Sequence, residues 1–215
     1  MIAARMISLV IGYFLGAFQT GYFYGKTKGI DIREHGSGNS GTTNTLRTLG
    51  WKAGAITFAG DLLKAILSVL IVSFLFRESY GEHLIVLKMY AGFGCVLGHN
   101  FPFYMGFKGG KGIACTGGVA LAVCPQVAPV CILAFILILA LTRYVSLGSL
   151  VMVTLFLLQV FLFTFMGILQ VEGNDRIEFL LIAVAFSAMA FWRHRANIGR
   201  LLNGTENKFG QKAKR

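Results

Sequence analysis

Charged residues are scarce in this sequence. They make up 13% of its 215 residues, whereas an ordinary soluble domain carries about 25%. Hydrophobic residues reach 55% and are collected in long runs. Runs of this kind are typical of helices that cross a bilayer. The composition excludes an ordinary soluble enzyme or binding domain. It predicts an all-α, polytopic membrane helical bundle, with residues 1–215 forming a single domain.

Acidic residues are fewer than basic ones, 9 against 20, and the net charge is +11. A charge of this size could indicate nucleic-acid binding. The basic residues, however, lie in short loops between apolar runs, where the positive-inside rule explains most of them. We therefore expect membrane lipid, and no nucleic acid, as a partner.

Cysteine spacing also excludes some chemistry. The four cysteines lie in apolar or glycine-rich segments, and no pair has CxxC spacing: Cys95, Cys115, Cys124 and Cys131. The spacing favours small hydrophobic residues over a metal or redox centre. We expect no metal and no cofactor.

Seven apolar segments follow one another along the chain. They cover about 6–24, 53–76, 84–97, 113–123, 125–141, 147–169 and 177–192. The fourth is short for a ~30 Å hydrocarbon core. If it crosses, most lysines and arginines fall in one set of loops, which also includes a basic tail from Arg193 to Arg215. The charge bias then predicts an external N-terminus and a cytoplasmic C-terminus.

Two features inside the segments predict contacts. Gly12, Gly16 and Gly21 form a small-residue face in the first segment, suited to close helix packing. Asp61 and Lys64 are three residues apart in the second, on one helical face. Because isolated charges inside a span are costly, we expect these two side chains to pair with each other.

The first polar stretch follows the first segment and reads Gly-Ser-Gly-Asn-Ser-Gly-Thr-Thr-Asn, starting at Gly36. Its glycines allow close approach of the backbone to a ligand. Ser37, Asn39 and Asn44 offer short polar side chains, and Arg47 offers a planar charged fork suited to phosphate or carboxylate. The stretch predicts an anion site. A flexible linker between two helices is the alternative.

The second polar stretch runs from Gly98-His99-Asn100 to the Lys-Gly-Gly-Lys-Gly run at Lys108, Gly109, Gly110, Lys111 and Gly112. Its glycines could expose N–H groups, its lysines bring charge, and a helix could begin directly after it. The GxxxxGK[ST] spacing is absent, so we expect no nucleotide hydrolysis. A positive-inside loop is the alternative.

The third polar stretch follows the last segment. His194, Asn197 and Arg200 are spaced by three residues and could share one helical face, with Arg195 beside them. A basic stop signal that contacts anionic lipid is the alternative. It explains the arginines but not Asn197 or Glu206.

These three stretches, predicted on one side of the membrane, resemble the three cytoplasmic motifs of the bacterial acyl-phosphate:glycerol-3-phosphate acyltransferases, the PlsY family. The similar segments are GSGNSGTTNTLRTLG, GHNFPFYMGFKGGKGIA and HRANIGRLLNGTE, and DLLKA and TRYVSLGS are also similar. Thr42 stands where the first motif more usually has alanine. The resemblance covers nearly the whole chain in order.

The resemblance implies a reaction and a site. The hydroxyl of glycerol 3-phosphate attacks the carbonyl of a fatty acyl phosphate, and lysophosphatidic acid and inorganic phosphate leave. It implies a monomer in the bacterial cytoplasmic membrane, with its site facing the cytoplasm. The expected catalytic residues are Ser37, Arg47, Lys111, Ser149, His194 and Asn197. The expected substrate-binding residues are Gly36, Asn39, Asn44, His99, Lys108, Gly109, Gly110, Gly112, Arg195 and Arg200.

The base that takes the hydroxyl proton stays open between His194 and a substrate phosphate, and the resemblance favours the phosphate. No histidine is followed five residues on by aspartate, and no Ser–His–Asp order supports an acyl-enzyme. Two other classes of function remain as alternatives. A transporter or channel for a phosphorylated anion would also use glycine loops and interior charges. A lipid-binding structural protein would show neither activity.

Overall fold

The computed structural model describes residues 1–210, and every regular element in that range is helical. Ten α-helices follow in order: α1 Ile2–Ala17, α2 Thr20–Thr27, α3 Thr42–Leu49, α4 Trp51–Phe76, α5 Leu84–Asn100, α6 Ile113–Val123, α7 Ala128–Thr142, α8 Val145–Phe165, α9 Gly173–Arg193 and α10 Arg195–Leu202. The all-helical prediction is confirmed. The end of the predicted basic tail, residues 211–215, lies outside the described range.

Within the described range, four spans are long and apolar enough to cross a membrane: α1 with α2, α4, the stretch around α5, and α8. A fifth is formed if α9 and α10, bent by 58° at His194, count as one. Helices α6 and α7 are apolar but shorter. They coincide with the fourth and fifth predicted segments, so the count of seven crossings stays a prediction.

Two predicted boundaries differ from the structure. The first apolar run breaks at Phe18 and Gln19, because the Gln19 side chain turns inward and bonds the His99 carbonyl oxygen at 3.0 Å. The stretch between the first two segments, predicted as a loop, contains α3. Gly50, at φ +87°, ends α3 and also caps α4, so the two helices meet without a linker.

Helices α1 and α5 pack backbone to backbone. A Cβ atom built on Gly12 or Gly16 would lie 2.0 Å from a carbonyl oxygen of α5. The same atom on Gly94 or Gly98 would lie about as close to a carbonyl oxygen of α1. Small residues at four-residue spacing permit this approach in a membrane. The close-packing face is confirmed for Gly12 and Gly16, whereas Gly21 lies in α2, against Ser40 and Thr45.

The predicted pair on α4 is also confirmed. Lys64 Nζ lies 2.9 Å from Asp61 Oδ1, and both side chains are buried. Around this pair, α1, α4 and α5 contact one another, and α6 packs against α4 and α5. This arrangement brings the break between α1 and α2 next to the end of α5, where the second polar stretch begins.

Candidate active site

The first polar stretch is shaped by Asn44 on α3. Its amide oxygen accepts a hydrogen bond from the Ser37 backbone N–H at 2.8 Å. Its nitrogen donates to the carbonyl oxygens of Ile32 and His35. Gly36 adopts φ +61°, and a Cβ atom there would lie 2.3 Å from the Asn44 amide oxygen. Asn44 and Gly36, predicted to bind substrate, therefore hold the shape of the loop that presents Ser37.

Arg47 lies on the last turn of α3 and is half-buried. Within the described residues, its guanidinium has no hydrogen bond or ion pair to another side chain or carbonyl. A half-buried guanidinium without a protein partner keeps its donors available for an anion.

The second polar stretch is held by its own backbone. The N–H groups of Gly109 and Gly110 donate to the carbonyl oxygens of Asn100 and His99, at 3.1 and 3.0 Å. These two N–H groups are therefore not exposed to a ligand, contrary to what the glycine content suggests. The reason for glycine is close packing: a Cβ atom on Gly110 would lie 1.9 Å from His99 Nε2, and one on Gly109 would lie 2.1 Å from the His99 carbonyl oxygen.

Two residues clamp this loop from outside. Arg193, at the end of α9, donates to the Gly109 and Gly110 carbonyl oxygens at 2.8 and 2.7 Å. Asn39, in the first stretch, donates to the Gly109 carbonyl oxygen at 3.3 Å. The Gly109 carbonyl thus joins all three polar stretches. Sequence reasoning missed Arg193, which resembles an ordinary basic residue at the end of a span.

Helix α6 begins directly after the loop, with Gly112 at φ +79° as its N-cap. The first turn of a helix leaves N–H groups without intrahelical partners and favours an anion. Asn100 lies beside it: a Cβ atom on Gly112 would be 3.0 Å from the Asn100 amide oxygen. Both polar side-chain atoms of Asn100 are buried and lack a hydrogen-bond partner among the described residues. Unmet hydrogen-bonding capacity of this kind points to a polar ligand or water.

Lys111 connects the second stretch to the third. Its Nζ donates to the Asn197 amide oxygen, and the Asn197 nitrogen donates to Glu206 Oε1 at 2.7 Å. Glu206 also accepts from Arg200 Nε at 2.7 Å and from Ser146 Oγ at 3.0 Å. Glu206 and Ser146 were absent from the predicted site. Both lie inside the segments that resemble the family, but nothing in the sequence indicates that they contact each other.

The electrostatics favour an anion at Lys111. Burial lowers the pKa of the Lys111 ammonium to about 8, opposed by Glu206 and reinforced by Arg200, Arg193 and Arg47. Three arginines from the first and third stretches therefore act on Lys111, and the Glu206 carboxylate beside it is already bonded by three groups. An uncompensated cluster of cations is a ready site for phosphate.

His194 lies at the bend between α9 and α10 and is buried. Its Nδ1 donates to the Ala190 carbonyl oxygen at 2.7 Å, because a carbonyl oxygen can only accept. Burial, followed by the charge of Lys111, lowers the pKa of His194 to about 4. At neutral pH the ring is therefore uncharged, and its Nε2 is a hydrogen-bond acceptor.

Among the described residues, three further predicted ones resemble Arg47 and His194 in having no side-chain hydrogen bond to Lys111, Asn197 or Glu206. Ser149 Oγ donates to the Val145 carbonyl oxygen in its own helix at 2.8 Å, and Ser146, one turn earlier, makes the contact to Glu206. Lys108 is exposed. The Arg195 guanidinium carbon lies 4.6 Å from the centre of the Trp192 ring, and the guanidinium donates a hydrogen bond to the Trp192 carbonyl oxygen. Their roles in the reaction stay predictions.

Fold and site together define an integral membrane protein with a half-buried group of cations, assembled from three separate stretches. The sequence profile described as "Glycerol-3-phosphate acyltransferase" matches residues 6–204. Glycerol-3-phosphate acyltransferases of Alkaliphilus metalliredigens and Clostridioides difficile are each 44% identical, over 97% and 98% of both chains. The chain belongs to the glycerol-3-phosphate acyltransferase family.

Solved structures agree with this assignment. The glycerol 3-phosphate form of PlsY, an integral membrane glycerol 3-phosphate acyltransferase, is 36% identical, with a TM-score of 0.82 and coverage of 96% of each chain. The lysophosphatidic acid form of PlsY has a TM-score of 0.77 and covers 96% of this chain and 95% of its own. The resemblance inferred from the three motifs is confirmed at the level of family and fold.

The lowered pKa of Lys111 predicts a pH dependence of anion binding. Above about pH 8 the empty site loses one positive charge, so a bound anion must be accompanied by uptake of a proton. Because of this linkage, we expect the Kd of inorganic phosphate to rise with pH from about 8 upward, by up to about tenfold per pH unit. Below pH 8, Lys111 is charged and contributes nothing to the pH dependence of this Kd.

The control for this experiment is Lys111→Arg, whose guanidinium stays charged throughout. Isothermal titration of phosphate at several pH values measures both proteins. Equal slopes for the wild type and Lys111→Arg above pH 8 would show that Lys111 is not the titrating cation.

Proposed function

We propose that this enzyme transfers a fatty acyl group from an acyl phosphate to a hydroxyl of glycerol 3-phosphate, giving lysophosphatidic acid and inorganic phosphate. The observation that carries the proposal is the grouping of cations around Lys111. Arg193 bonds the Gly109 and Gly110 carbonyl oxygens beside it, and Arg200 is joined to it through Glu206 and Asn197. The charge of Arg47 also acts on Lys111. Both substrates carry phosphate, so a site rich in cations serves both. Membership of the acyltransferase family supports acyl transfer over the transporter and structural alternatives.

Binding of phosphate uses groups that retain hydrogen-bonding capacity or charge after their contacts among residues 1–210. Arg47 offers its guanidinium fork, Lys111 its charge, and Asn100 its unpartnered amide beside the first turn of α6. Ser37, placed by Asn44, offers a hydroxyl to the same ligand. This set supports the prediction that Ser37, Arg47 and Lys111 act directly on the reacting groups.

Catalysis in this site is positioning and electrostatic stabilisation. The hydroxyl oxygen of glycerol 3-phosphate forms the new bond to the acyl carbon, and the bond from that carbon to the phosphate oxygen breaks. The hydroxyl proton moves to a substrate phosphate oxygen and leaves with inorganic phosphate. His194, with its pKa near 4, is a weak base at neutral pH. Its Nε2 instead accepts a hydrogen bond from the second, non-reacting hydroxyl of glycerol 3-phosphate and so orients the substrate.

The acyl chain occupies an apolar cavity between α5 and α9. This cavity has a volume of about 460 Å³ and is lined by Phe93, Phe101, Ala185, Ala188, Met189 and Trp192. The Arg193 guanidinium lies 5.3 Å from the Phe101 ring centre and also bonds the Gly110 carbonyl oxygen. The cavity wall therefore adjoins the loop that carries Lys111. Apolar lining of this size suits a hydrocarbon chain better than a polar donor group.

The proposed reaction predicts donor specificity. Purified protein with labelled glycerol 3-phosphate should form lysophosphatidic acid from palmitoyl phosphate, with one inorganic phosphate released per ester. Palmitoyl-CoA and palmitoyl-acyl carrier protein should give less than about a hundredth of that rate, because the site is built for a phosphate leaving group.

Lys111→Ala should lose at least about a hundredfold in kcat/KM, since it removes a cation that acts on the transferring groups. Lys52→Ala, a change of the same kind at an exposed lysine, is the matched control and should retain full activity.

Equal turnover with the CoA thioester, or ester formation without phosphate release, would contradict the proposed donor.

The enzyme acts in the bacterial cytoplasmic membrane as a monomer, and seven crossings place the N-terminus outside and the site on the cytoplasmic side. The position of most lysines and arginines in the loops that form the site supports this orientation. The C-terminal tail then lies in the cytoplasm.

This topology predicts which exposed positions react with a membrane-impermeant thiol reagent. In a background without the four buried cysteines, Glu82→Cys should react in intact spheroplasts. Lys28→Cys, Lys108→Cys and Asn207→Cys should react only after lysis. Labelling of positions 108 and 207 from opposite faces would separate the second and third stretches and contradict a shared site.

A further inference from the structure

A buried polar cluster lies beneath the loop that carries Lys111, and it includes His99, which was predicted to bind substrate. It consists of Asp61 and Lys64 on α4 and His99 at the end of α5, and their exposures are 2%, 7% and 3%. Lys64 Nζ lies 2.9 Å from His99 Nδ1, and His99 Nδ1 lies 3.6 Å from Asp61 Oδ1. Ionisable groups buried within spans are costly, and where they occur they usually serve a function.

The hydrogen-bond geometry fixes the roles of the three groups. Lys64 has three protons and three acceptors: the Phe18 carbonyl oxygen at 2.6 Å, Asp61 Oδ1 and His99 Nδ1. His99 Nδ1 is then an acceptor, and the remaining ring proton is on Nε2. The Phe18 carbonyl is available because α1 ends there, at the break before α2. The cluster therefore joins this break to α4 and to the end of α5.

The His99 ring forms the support under Gly110. A Cβ atom on Gly110 would lie 1.9 Å from Nε2 and 2.7 Å from Cε1, so ring and backbone are already in contact. The Gly110 N–H also donates to the His99 carbonyl oxygen. Lys111 is the next residue, so the orientation of the His99 ring determines the position of the Lys111 backbone.

Gln19 extends the same support to the first polar stretch. Its amide nitrogen donates to the His99 carbonyl oxygen at 3.0 Å, and its amide oxygen accepts from Ser40 Oγ at 2.8 Å. Gln19 is fully buried, so both bonds are shielded from water. The cluster and Gln19 thus hold the backbone of two substrate-binding stretches relative to each other.

We propose that Asp61, Lys64 and Gln19 are positioning residues that act through His99 to hold the Gly109–Gly110–Lys111 backbone and the first polar stretch in one arrangement for phosphate binding. They contact no substrate. The proposal rests on the proposed function, because its readout is the KM for glycerol 3-phosphate.

The first test removes both charges together. Lys64→Met alone would leave Asp61 as an uncompensated buried charge and could fail to fold. The double variant Asp61→Asn/Lys64→Met leaves no such charge. We expect it to fold with a native size-exclusion profile and to raise the KM for glycerol 3-phosphate at least about tenfold, with kcat reduced much less.

Ser68→Ala is the matched control. Ser68 is buried one turn further along α4, where its hydroxyl donates to the Lys64 carbonyl oxygen at 2.7 Å. It should leave the KM unchanged. A folded double variant with the wild-type KM would overturn the proposal, while wild-type turnover in the same assay would leave the proposed function intact.

The second test is a double-mutant cycle between His99 and Gly110. Gly110→Ala should lower kcat/KM at least about tenfold, because its Cβ atom meets a ring that Lys64 prevents from moving. In the His99→Ala background that ring is gone, and Gly110→Ala should cost less than about twofold more. Additive losses would show that the ring does not transmit the effect and would overturn the proposal.

Discussion

The carbonyl group of Gly109 is the point on which the three polar stretches depend. It accepts from Arg193 at the end of α9 and from Asn39 in the first stretch, while the Gly109 N–H donates back to Asn100. Each of these bonds joins residues that are far apart in sequence or lie in different elements. Backbone groups that are buried must be paired, so this loop cannot relax independently of α5 and α9.

This arrangement leaves an excess of positive charge around Lys111 and satisfies the one carboxylate nearby. Arg200, Asn197 and Ser146 all bond Glu206, so that carboxylate anchors the third stretch while the charges of Arg47 and Lys111 remain for a ligand. His194 is uncharged, with its Nδ1 proton committed to a carbonyl oxygen. A site with strong cations and a weak base suits a reaction in which phosphate is both leaving group and proton acceptor.

Much of this could be predicted from sequence, because motifs and local spacing carry it. The helical class, the Asp61–Lys64 pair and the Gly12–Gly16 face follow from such patterns. The joint use of Arg47, Lys111 and Asn197 in the reaction stays a prediction. Arg193 and Gln19 could not be found this way, and neither could the contact between Ser146 and Glu206, although both of these residues lie in the similar segments. Their roles depend on contacts between residues remote in sequence, and a lone polar residue at a helix end gives no pattern. The reason for glycine at position 110 was misread. Its N–H group is already bonded to the His99 carbonyl oxygen, and glycine is needed because the His99 ring lies against it.

We propose that the residues holding phosphate, rather than a histidine base, supply most of the catalysis. The most direct measurement is kcat/KM against pH for His194→Gln beside Lys111→Ala and Arg47→Ala, with folding checked by size exclusion. Glutamine keeps a hydrogen-bonding group but cannot take a proton at neutral pH. Both alanine variants should lose more activity than His194→Gln, and His194→Gln should keep the wild-type pH profile. An inactive His194→Gln beside active alanine variants would contradict it and make His194 the base.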